Sequence, residues 1–254
     1  MKQYFSDSYV VFSRSMTLSL QNPIWILVSI MQPILYLALF GPLLVQIVAV
    51  PGFPAGDAWQ VFVPGILVQL AMFGSLFVGF GIVAEWRSGV IERMLVSPAS
   101  KNALIIGRVL RDVIMLIIQS IILIVVAFLF GLQIGSGAIV ASLVLVALLG
   151  AAFSYFSYAA GLWLKSEDVL APMINSIALP LMLLSGILLP MSLAPRWLQI
   201  FSDINPIKHV VQALRFVFRG EYLNFETIFG LFLALGVLGI AAIVGNLAIK
   251  SQAR

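Results

Sequence analysis

The sequence predicts an all-α integral membrane protein with six transmembrane helices, and three observations carry that prediction. Hydrophobic residues make up 62% of the 254 positions and charged residues only 9%, whereas soluble domains carry about 25% charged residues. The mean hydropathy is +1.12. Six apolar segments each approach the ~20 residues that a spanning helix needs. The net charge of +4 is therefore interpreted as a topology signal, and no nucleic-acid partner is expected.

Residues 1–22 are expected to form an amphipathic helix at the membrane surface. Large apolar side chains recur there at helical intervals, namely Phe5, Tyr9, Phe12 and Met16. A helix of this kind lies in the interface plane with its aromatic side among the lipid head groups. The pair Asn22-Pro23 then breaks the chain before it enters the membrane.

The six apolar segments run approximately over 24–48, 61–83, 104–131, 138–164, 169–190 and 228–249. Prolines inside the first and fifth segments should kink those helices, and they are Pro33, Pro42, Pro172 and Pro180. Glycines in the second segment predict close helix contacts, and they are Gly74, Gly79 and Gly81.

The basic residues predict the orientation of the spans. Ten of the 14 Lys and Arg residues lie on one side, at Lys2, Arg14, Arg87, Arg93, Lys101, Arg108, Arg111, Lys165, Lys250 and Arg254. The other four lie in the 191–227 loop, at Arg196, Lys208, Arg215 and Arg219. Because positive residues accumulate on the cytoplasmic side, both termini are expected in the cytosol of a cell-membrane protein.

The loop between the second and third spans, residues 84–103, is the densest group of charges in the chain, and we call it the bridge. A short helix is expected to follow Gly89 and to stop before Pro98. Its apolar residues share one face at helical spacing and comprise Val90, Ile91, Met94 and Leu95, while Glu92 and Arg93 point elsewhere. Two interpretations remain open: a surface-lying turn, or a docking helix for a soluble partner.

The loop at 191–227, which we call the outer segment, is too apolar for a solvated loop. One short amphipathic helix is indicated by Trp197, Phe201 and Ile204 and should end near Asn205-Pro206. A second is indicated by Val210, Val211, Leu214, Val217 and Phe218, with a polar stripe of Lys208, Gln212, Arg215 and Arg219. Neither can span a bilayer. A re-entrant hairpin is favoured over a surface-lying one.

The chain offers few residues for chemistry of its own. It has no cysteine and no G-x-x-x-x-G-K-[ST] motif to hold nucleotide phosphates. The only histidine, His209, has no partners at metal-ligand spacing, so a structural role is expected. No catalytic residue, metal or cofactor is therefore expected, and the chain is not predicted to be an enzyme.

Polar residues near the spans receive structural interpretations. Ion-coupled carriers usually bury ionisable groups within their spans. The sequence pattern predicts none at the helix centres here, which disfavours that class. Arg108, Arg111 and Asp112 are expected to snorkel to the cytosol or to pair within their helix. Interhelical hydrogen bonds are expected for Gln69, Gln119 and Asn175.

Four groups of residues resemble a known family. The second span opens with Val63-Pro64-Gly65-Ile66-Leu67-Val68-Gln69, and the bridge runs Glu85-Trp86-Arg87-Ser88-Gly89-Val90-Ile91-Glu92-Arg93-Met94-Leu95-Val96-Ser97-Pro98. The third span contains Gly107-Arg108 followed by Asp112. The fifth span and outer segment contain Leu184-Ser185-Gly186-Ile187-Leu188-Leu189-Pro190, Pro195-Arg196-Trp197-Leu198, Asn205-Pro206 and Arg215. In this order and spacing they resemble the permease subunits of ABC-2 type transporters, especially the daunorubicin-resistance-like drug exporters.

The resemblance implies one ABC-2 transmembrane domain over residues 1–254, with an interface helix, a coupling helix in the bridge and a re-entrant hairpin in the outer segment. It implies two partners, a second permease copy and a separate ATP-binding cassette subunit that holds ATP and Mg. The implied partner-binding residues of the bridge are Glu85, Arg87, Gly89, Val90, Ile91, Glu92, Arg93, Met94, Leu95, Ser97 and Pro98. The implied residues of the outer segment are Gly186, Pro190, Pro195, Trp197, Asn205, Pro206 and Arg215.

The function that the resemblance implies is export of an amphiphilic drug or lipid-like substrate, driven by ATP in the partner. Two alternatives stay open. One is export of a polysaccharide or lipid-linked glycan, which sibling branches of the family perform. The other is an ion-coupled membrane carrier.

Overall fold

A computed structural model describes residues 2–21, 24–47, 56–96, 100–188 and 190–252. Within these ranges the chain folds into α-helices and one short 3-10 turn, without strands. In chain order the helices are α1 (Lys2–Leu20), α2 (Ile24–Ile47), α3 (Ala58–Leu76), α4 (Gly79–Arg87), α5 (Val90–Leu95), α6 (Lys101–Leu129), α7 (Ser136–Leu164), α8 (Glu167–Leu184), α9 (Arg196–Asp203), α10 (Pro206–Phe218) and α11 (Phe225–Ser251), with the 3-10 turn at Met191–Leu193.

The described residues contain six helical segments that are long and apolar enough to cross a membrane, which confirms the predicted number. They run over Leu27–Gln46, Ala58–Arg87, Lys101–Leu129, Ser136–Leu164, Glu167–Leu184 and Phe225–Ser251. The largest differences from the sequence prediction are at the ends. The fifth span ends at Leu184 instead of 190, and the second ends at Arg87, four residues later than predicted.

Helix α7 is the central element of the bundle, and it packs against α3, α4, α6, α8, α10 and α11. Small residues allow these neighbours to approach closely. A Cβ atom added at Gly161 would lie 2.8 Å from the Gly79 carbonyl oxygen, and one added at Gly150 would lie 2.2 Å from a Leu116 methyl group. Glycine is therefore a packing requirement at Gly161, where the contact is with backbone, whereas the Leu116 side chain could move to admit a Cβ atom at Gly150.

The helices α2 and α8 lie at the periphery. Only 28% of the span in α2 and 17% of the span in α8 is buried, compared with 61% for the second span. Large apolar side chains project from both outer faces, including Leu39 on α2 and Leu183 on α8. Isolated in water, such faces would be unstable, so lipid or another apolar surface must cover them.

The second span is interrupted where α3 ends and α4 begins, at Phe77 and Val78. The Ser157 hydroxyl of α7 accepts a hydrogen bond from the Gly79 N–H at 2.8 Å and donates one to the Leu76 carbonyl. These bonds satisfy backbone groups that the interruption frees. A Cβ atom at Gly79 would lie 2.4 Å from the Ser157 carbonyl oxygen, which confirms the predicted close contact there.

The same prediction is wrong for the other two glycines of the second span. A Cβ atom at Gly81 would meet nothing within 4 Å, and one at Gly74 would make only ordinary contacts near 3.9 Å. Both residues instead line a cleft beside α6. Glycine in an apolar span is therefore compatible with close packing and with open space alike.

The N-terminal helix α1 lies along the first half of α6. A Cβ atom at Gly107 would lie 2.6 Å from the Ser8 carbonyl oxygen, so glycine is needed where the two helices cross. The carboxylate of Asp7 accepts a hydrogen bond from the Ser100 N–H at 3.0 Å, directly before α6 begins. Phe5 and Tyr9 remain 70% and 68% exposed on the opposite side of α1.

Candidate functional site

The bridge contains the short helix that the sequence predicts. Gly89 adopts φ 72°, a left-handed conformation that glycine reaches without strain, and α5 follows it directly from Val90 to Leu95. Ser97 and Pro98, the predicted stop, lie outside the described residues. Because Gly89 reverses the chain between α4 and α5, the bridge folds back on the end of the second span.

The apolar face of α5 exists as predicted, but it packs against this chain. Ile91 is only 2% exposed and belongs to a buried cluster with Val11 and Leu104. Met94 and Leu95 pack against the same cluster. The interpretation of this face as a docking surface for a soluble partner is therefore wrong for Ile91, because α1 and α6 already enclose that side chain.

The residues that α5 presents outward are charged or lie at its end. Glu92 and Arg93 are exposed, and Val96, directly after the helix, is 87% exposed. Arg87 is also exposed and forms a 3.6 Å ion pair with Glu167 at the start of α8. The outward surface of the bridge is thus a charged patch with one exposed apolar side chain at its edge.

A partly buried ion pair connects the bridge to the third span. Arg108 on α6 donates a hydrogen bond to the Glu85 carboxylate on α4, and only 6% of the arginine side chain is exposed. The Met94 sulfur lies 3.7 Å from the same guanidinium. Arg108 therefore ties α4, α5 and α6 together.

A second polar group lies one turn further into α6. Arg111 pairs with Asp112 at 3.0 Å, and the Tyr158 hydroxyl of α7 donates to the other Asp112 oxygen at 2.6 Å. Arg111 also donates to the Ser19 hydroxyl of α1 at 2.9 Å. We call Glu85, Arg108, Arg111, Asp112 and Tyr158 the charged network.

The charged network corrects two predictions. Arg108 and Asp112 are 5% and 6% exposed and do not snorkel to an aqueous surface. Asp112 lies eleven residues after α6 begins, about 16 Å along the helix at 1.5 Å per residue, so the spans do contain buried ionisable groups. The predicted pairing within the helix is confirmed for Arg111 and Asp112.

The outer segment folds as two short helices with the predicted boundary at Asn205-Pro206. Pro206 is the first residue of α10, where its missing N–H costs nothing, and the Asn205 side chain accepts a hydrogen bond from the Ile207 N–H at 3.0 Å. Val210, Val211 and Leu214 are buried as predicted. Helix α10 packs against α3, α7 and α11, so it lies within the bundle.

Three side chains of the outer segment bind backbone carbonyls around the end of α8. Asn205 donates to the Leu181 carbonyl at 2.8 Å, and Ser202 donates to the Leu184 carbonyl at 2.6 Å. Arg215 donates to the carbonyls of Gly186 at 2.7 Å and Val61 at 3.0 Å. The last carbonyls of a helix have no partner within it, so Asn205 and Ser202 satisfy groups that the end of α8 leaves open. Arg215 joins the turn that follows α8 to α3.

Arg215 therefore does not belong to an exposed polar stripe, and that prediction is wrong for this residue. It is 4% exposed, and burial together with the nearby Arg219 lowers its pKa to about 10. It still carries its charge at neutral pH. Helical spacing placed Arg215 beside Gln212 and Arg219, but it did not reveal that carbonyl oxygens face this position.

The remaining predicted residues of the outer segment do not form one site. Gly186, with φ 72°, is the buried acceptor for Arg215, and Pro190 is buried. Pro195 and Trp197 are exposed, and Trp197 shares its face of α9 with Ile200, Phe201 and Ile204, which are all more than half exposed. Helix α9 thus presents an apolar surface that the described chain does not cover.

Polar residues elsewhere have structural roles. Gln119 donates to the Ser29 hydroxyl of α2 at 2.7 Å, which confirms an interhelical bond. Asn175 instead donates to the Ala171 carbonyl in its own helix, so the prediction is wrong there. Gln69 is 2% exposed, and its side-chain oxygen has no partner among the described residues.

His209 contacts the Asp203 carbonyl at 2.9 Å and the Phe229 ring, as a structural histidine does.

Sequence reasoning missed Tyr158 and the partnership between Glu85 and Arg108. A tyrosine in an apolar span resembles an interfacial aromatic residue, and only the fold shows that its hydroxyl reaches Asp112. Glu85 and Arg108 are 23 positions apart. Their pairing depends on the bridge folding back, which no local pattern predicts.

Six membrane-crossing helices, a folded-back charged bridge and a buried outer segment define the class of multi-pass helical membrane proteins. The model of the ABC-2 type transporter family matches residues 7–218. The chain belongs to this family.

Individual relatives agree with the assignment. The chain is 28% identical to ycf38 of Cyanophora paradoxa, named as a transport permease, over 85% of this chain and 75% of that protein. It is 23% identical to the daunorubicin resistance ABC transporter permease protein DrrB1 of Streptomyces coeruleorubidus, over 63% and 58% of the two chains. It is also 23% identical to DrrC of Mycobacterium tuberculosis, named for doxorubicin resistance, over 87% and 80%.

Proposed function

We propose that this chain is the membrane subunit of an ATP-driven exporter, in which a separate ATP-binding cassette subunit holds ATP and Mg. The family match over residues 7–218 carries the proposal, and the drug-resistance permeases among the relatives favour an amphiphilic drug or a lipid-like substrate. This chain supplies no P-loop. Energy would therefore reach it by contact with the partner subunit.

The bridge is the proposed contact with the ATP-binding subunit. Glu92, Arg93 and Val96 project outward, whereas Ile91 anchors α5 to α1 and α6. A push on α5 would be transmitted to α6 through Arg108, which holds both Glu85 and Met94. The charges at the rim should control rate and specificity, and the buried apolar face keeps the bridge rigid.

Cysteine cross-linking tests this contact directly, because the chain has no native cysteine. The permease and its ATP-binding subunit are co-expressed, and single cysteines are placed at Val96 and at the buried Ile91. With a thiol-to-amine cross-linking reagent, we expect a covalent heterodimer from Val96→Cys and none from Ile91→Cys. Cross-linking that is equally absent from cysteines at Val96, Glu92 and Arg93 would refute the docking role.

Two copies of the chain are proposed to form the transport path. The outer faces of α2 and α8 are uncovered and apolar, as a dimer of spans requires. A path between them would suit an amphiphile that enters from the lipid. The co-purified complex should hydrolyse ATP faster in the presence of amphiphiles. Stimulation by lipid-linked glycans alone would favour the glycan alternative.

The ion-coupled alternative has to be judged anew, because the charged network supplies the buried ionisable groups that sequence reasoning did not find. Membership of the ABC-2 family argues against it. Substrate export by vesicles that carry the complex should require ATP and persist when ion gradients are collapsed. Transport driven by an ion gradient without ATP would establish the alternative.

The proposed orientation places both termini and the bridge in the cytosol, by the distribution of basic residues. Ser88 in the bridge and Ser136 at the start of α7 are both exposed and suit thiol labelling after replacement by cysteine. In intact cells an impermeant thiol reagent should label Ser136→Cys and not Ser88→Cys. After lysis it should label both variants. Labelling of Ser88→Cys in intact cells would show that the orientation is the opposite of the proposed one.

The interface role of α1 and the re-entrant position of the outer segment complete the proposal of one transmembrane domain over residues 1–254. The exposed aromatic side of α1, with Phe5 and Tyr9, suits lipid head groups. The burial of α10 among α3, α7 and α11 supports a segment that dips into the bundle. The exposed apolar face of α9 would then lie along the outer membrane surface.

A further inference from the structure

The charged network forms one wall of an open cleft of about 740 Å³ within a single copy of the chain. Its polar part contains Glu85, Arg111 and Tyr158, with the hydroxyl of Ser19 beside them. Its apolar part contains Phe77 and Phe80, whose rings stack at 5.8 Å. A space with one polar and one apolar part, at the end of a set of spans, fits an amphiphile with its head group at the network.

The charges of the cleft select the kind of head group. Two acids, Glu85 and Asp112, face two bases, Arg108 and Arg111, so the formal charges sum to zero. A head group with net charge would bring an uncompensated charge into a region of low dielectric constant, which is unfavourable. A zwitterion brings no net charge and can extend both ion pairs.

Unused hydrogen-bonding capacity lies on both sides of the network. The Arg111 side chain lines the cleft and is 26% exposed. Arg108 binds the Oε2 atom of Glu85, and the Glu85 side chain stays 30% exposed in the cleft. A phosphate at the exposed edge of the Arg111 guanidinium would accept from its N–H groups, and a primary ammonium near Glu85 would donate to its carboxylate.

We propose that this cleft binds a zwitterionic membrane lipid with a primary ammonium, of the phosphatidylethanolamine class. The phosphate lies at Arg111, the ammonium at Glu85, and an acyl chain runs along Phe77 and Phe80. Phosphatidylcholine has the same net charge, but its quaternary ammonium has no N–H to donate. Phosphatidylglycerol has a net negative charge. The site concerns one copy of the chain, so it holds whether or not the exporter function proposed above is correct.

Native mass spectrometry of the delipidated, intact protein tests the site, with phosphatidylethanolamine, phosphatidylcholine and phosphatidylglycerol added at equal concentrations. We expect phosphatidylethanolamine to be retained about tenfold better than either of the others. Glu85→Gln and Arg111→Gln should each reduce its retention about tenfold. Glu92 and Arg93 are exposed and supply matched controls. Glu92→Gln and Arg93→Gln should retain the lipid as the unchanged chain does.

Gly81→Phe provides a test that leaves every charge in place. A Cβ atom at Gly81 meets nothing within 4 Å, and the residue lines the cleft, so the ring can fill it without moving the backbone. We expect loss of selective lipid retention with unchanged thermal unfolding. Equal retention of the three lipids, preference for phosphatidylglycerol, or normal selectivity in Gly81→Phe would each overturn the proposal.

Discussion

The two ends of the bundle stabilise short amphipathic helices in different ways. At the bridge, charged side chains bind other charged side chains, as Arg108 binds Glu85 and Arg111 binds Asp112. In the outer segment, side chains bind backbone carbonyls, as Arg215 binds Gly186 and Val61. Both ends therefore bury an arginine, but only the bridge end balances it with an acid among the described residues.

This difference indicates different mechanical roles. A carbonyl at a helix end is fixed by the backbone, so Asn205, Ser202 and Arg215 hold the end of α8 in one arrangement. An ion pair between side chains can persist while its helices shift, because both partners have several rotatable bonds. The bridge end is thus suited to transmit movement, and the outer end is suited to resist it.

The largest effect is expected from Asp112→Ala, which would test whether the bridge end depends on charge balance. Its removal leaves the partly buried Arg111 without its carboxylate and Tyr158 without an acceptor. Breaking a buried pair in this way costs about 3–5 kcal/mol. The free energy of unfolding in detergent should fall accordingly. Asp168→Ala, an exposed acid in the first turn of α8, should cost less than about 1 kcal/mol. Similar losses for the two variants would contradict a charge-dependent bridge end.

A smaller effect is expected from Arg215→Ala at the outer end. This change removes a charge and leaves only neutral carbonyls of Val61 and Gly186 without their donor. At about 1–3 kcal/mol for each unsatisfied buried group, partial relaxation would give a total of about 2–4 kcal/mol. The exposed Arg196→Ala is the matched control and should change stability by less than about 0.5 kcal/mol. Thermal unfolding of both variants checks the prediction, and equal melting temperatures would show that Arg215 does not hold the end of α8.

Single hydroxyl deletions sharpen the comparison further. Tyr158→Phe removes a donor to the charged Asp112, and Ser202→Ala removes a donor to the neutral Leu184 carbonyl. Hydrogen bonds to charged groups contribute about 1.5–3 kcal/mol and neutral ones about 1 kcal/mol. Tyr158→Phe should therefore lower the free energy of unfolding more than Ser202→Ala does. The reverse order would mean that the outer end, not the bridge end, depends on the stronger bond.

The parts of this architecture that follow local patterns were predictable from the sequence. Span number follows from apolar length, the start of α5 from Gly89, and the start of α10 from Asn205-Pro206. The direction in which a face points was not predictable. Helical periodicity grouped Ile91 with Met94, but it does not show how the chain folds back to place α1 and α6 around Ile91, and Val11 of α1 is 80 positions away.

The burial of charged side chains also could not be predicted from the sequence, and the reason is physical. An arginine near the end of a span, such as Arg108, can reach an aqueous surface or meet an acid, and the sequence pattern is the same in both cases. The choice depends on whether another element supplies the acid at the right depth. Here α4 supplies Glu85. For Arg215, the fold supplies carbonyl oxygens instead.

The smallest effect is expected for Asp203 and Lys208, an ion pair at the surface of the outer segment. The Lys208 ammonium donates to the Asp203 carboxylate and lowers its pKa below the ordinary value, although 60% of the Asp203 side chain is exposed. An acid whose pKa is lower in the folded state adds stability above the unfolded pKa of about 3.9, and this stability is lost as the pH falls through the folded pKa. Exposure and salt limit the contribution to about 0.5 kcal/mol.

Asp203→Asn should therefore lower the melting temperature slightly at pH 7, and the difference should shrink as the pH falls through the folded pKa of Asp203, where the unchanged chain also loses the charge. Adding salt should remove the difference at pH 7. A loss at pH 7 as large as that of Arg215→Ala, or one that persists in high salt, would show that the outer end also relies on charge pairs. Either result would contradict the proposed difference between the two ends, in which the outer end depends on bonds to carbonyls and the bridge end on ion pairs.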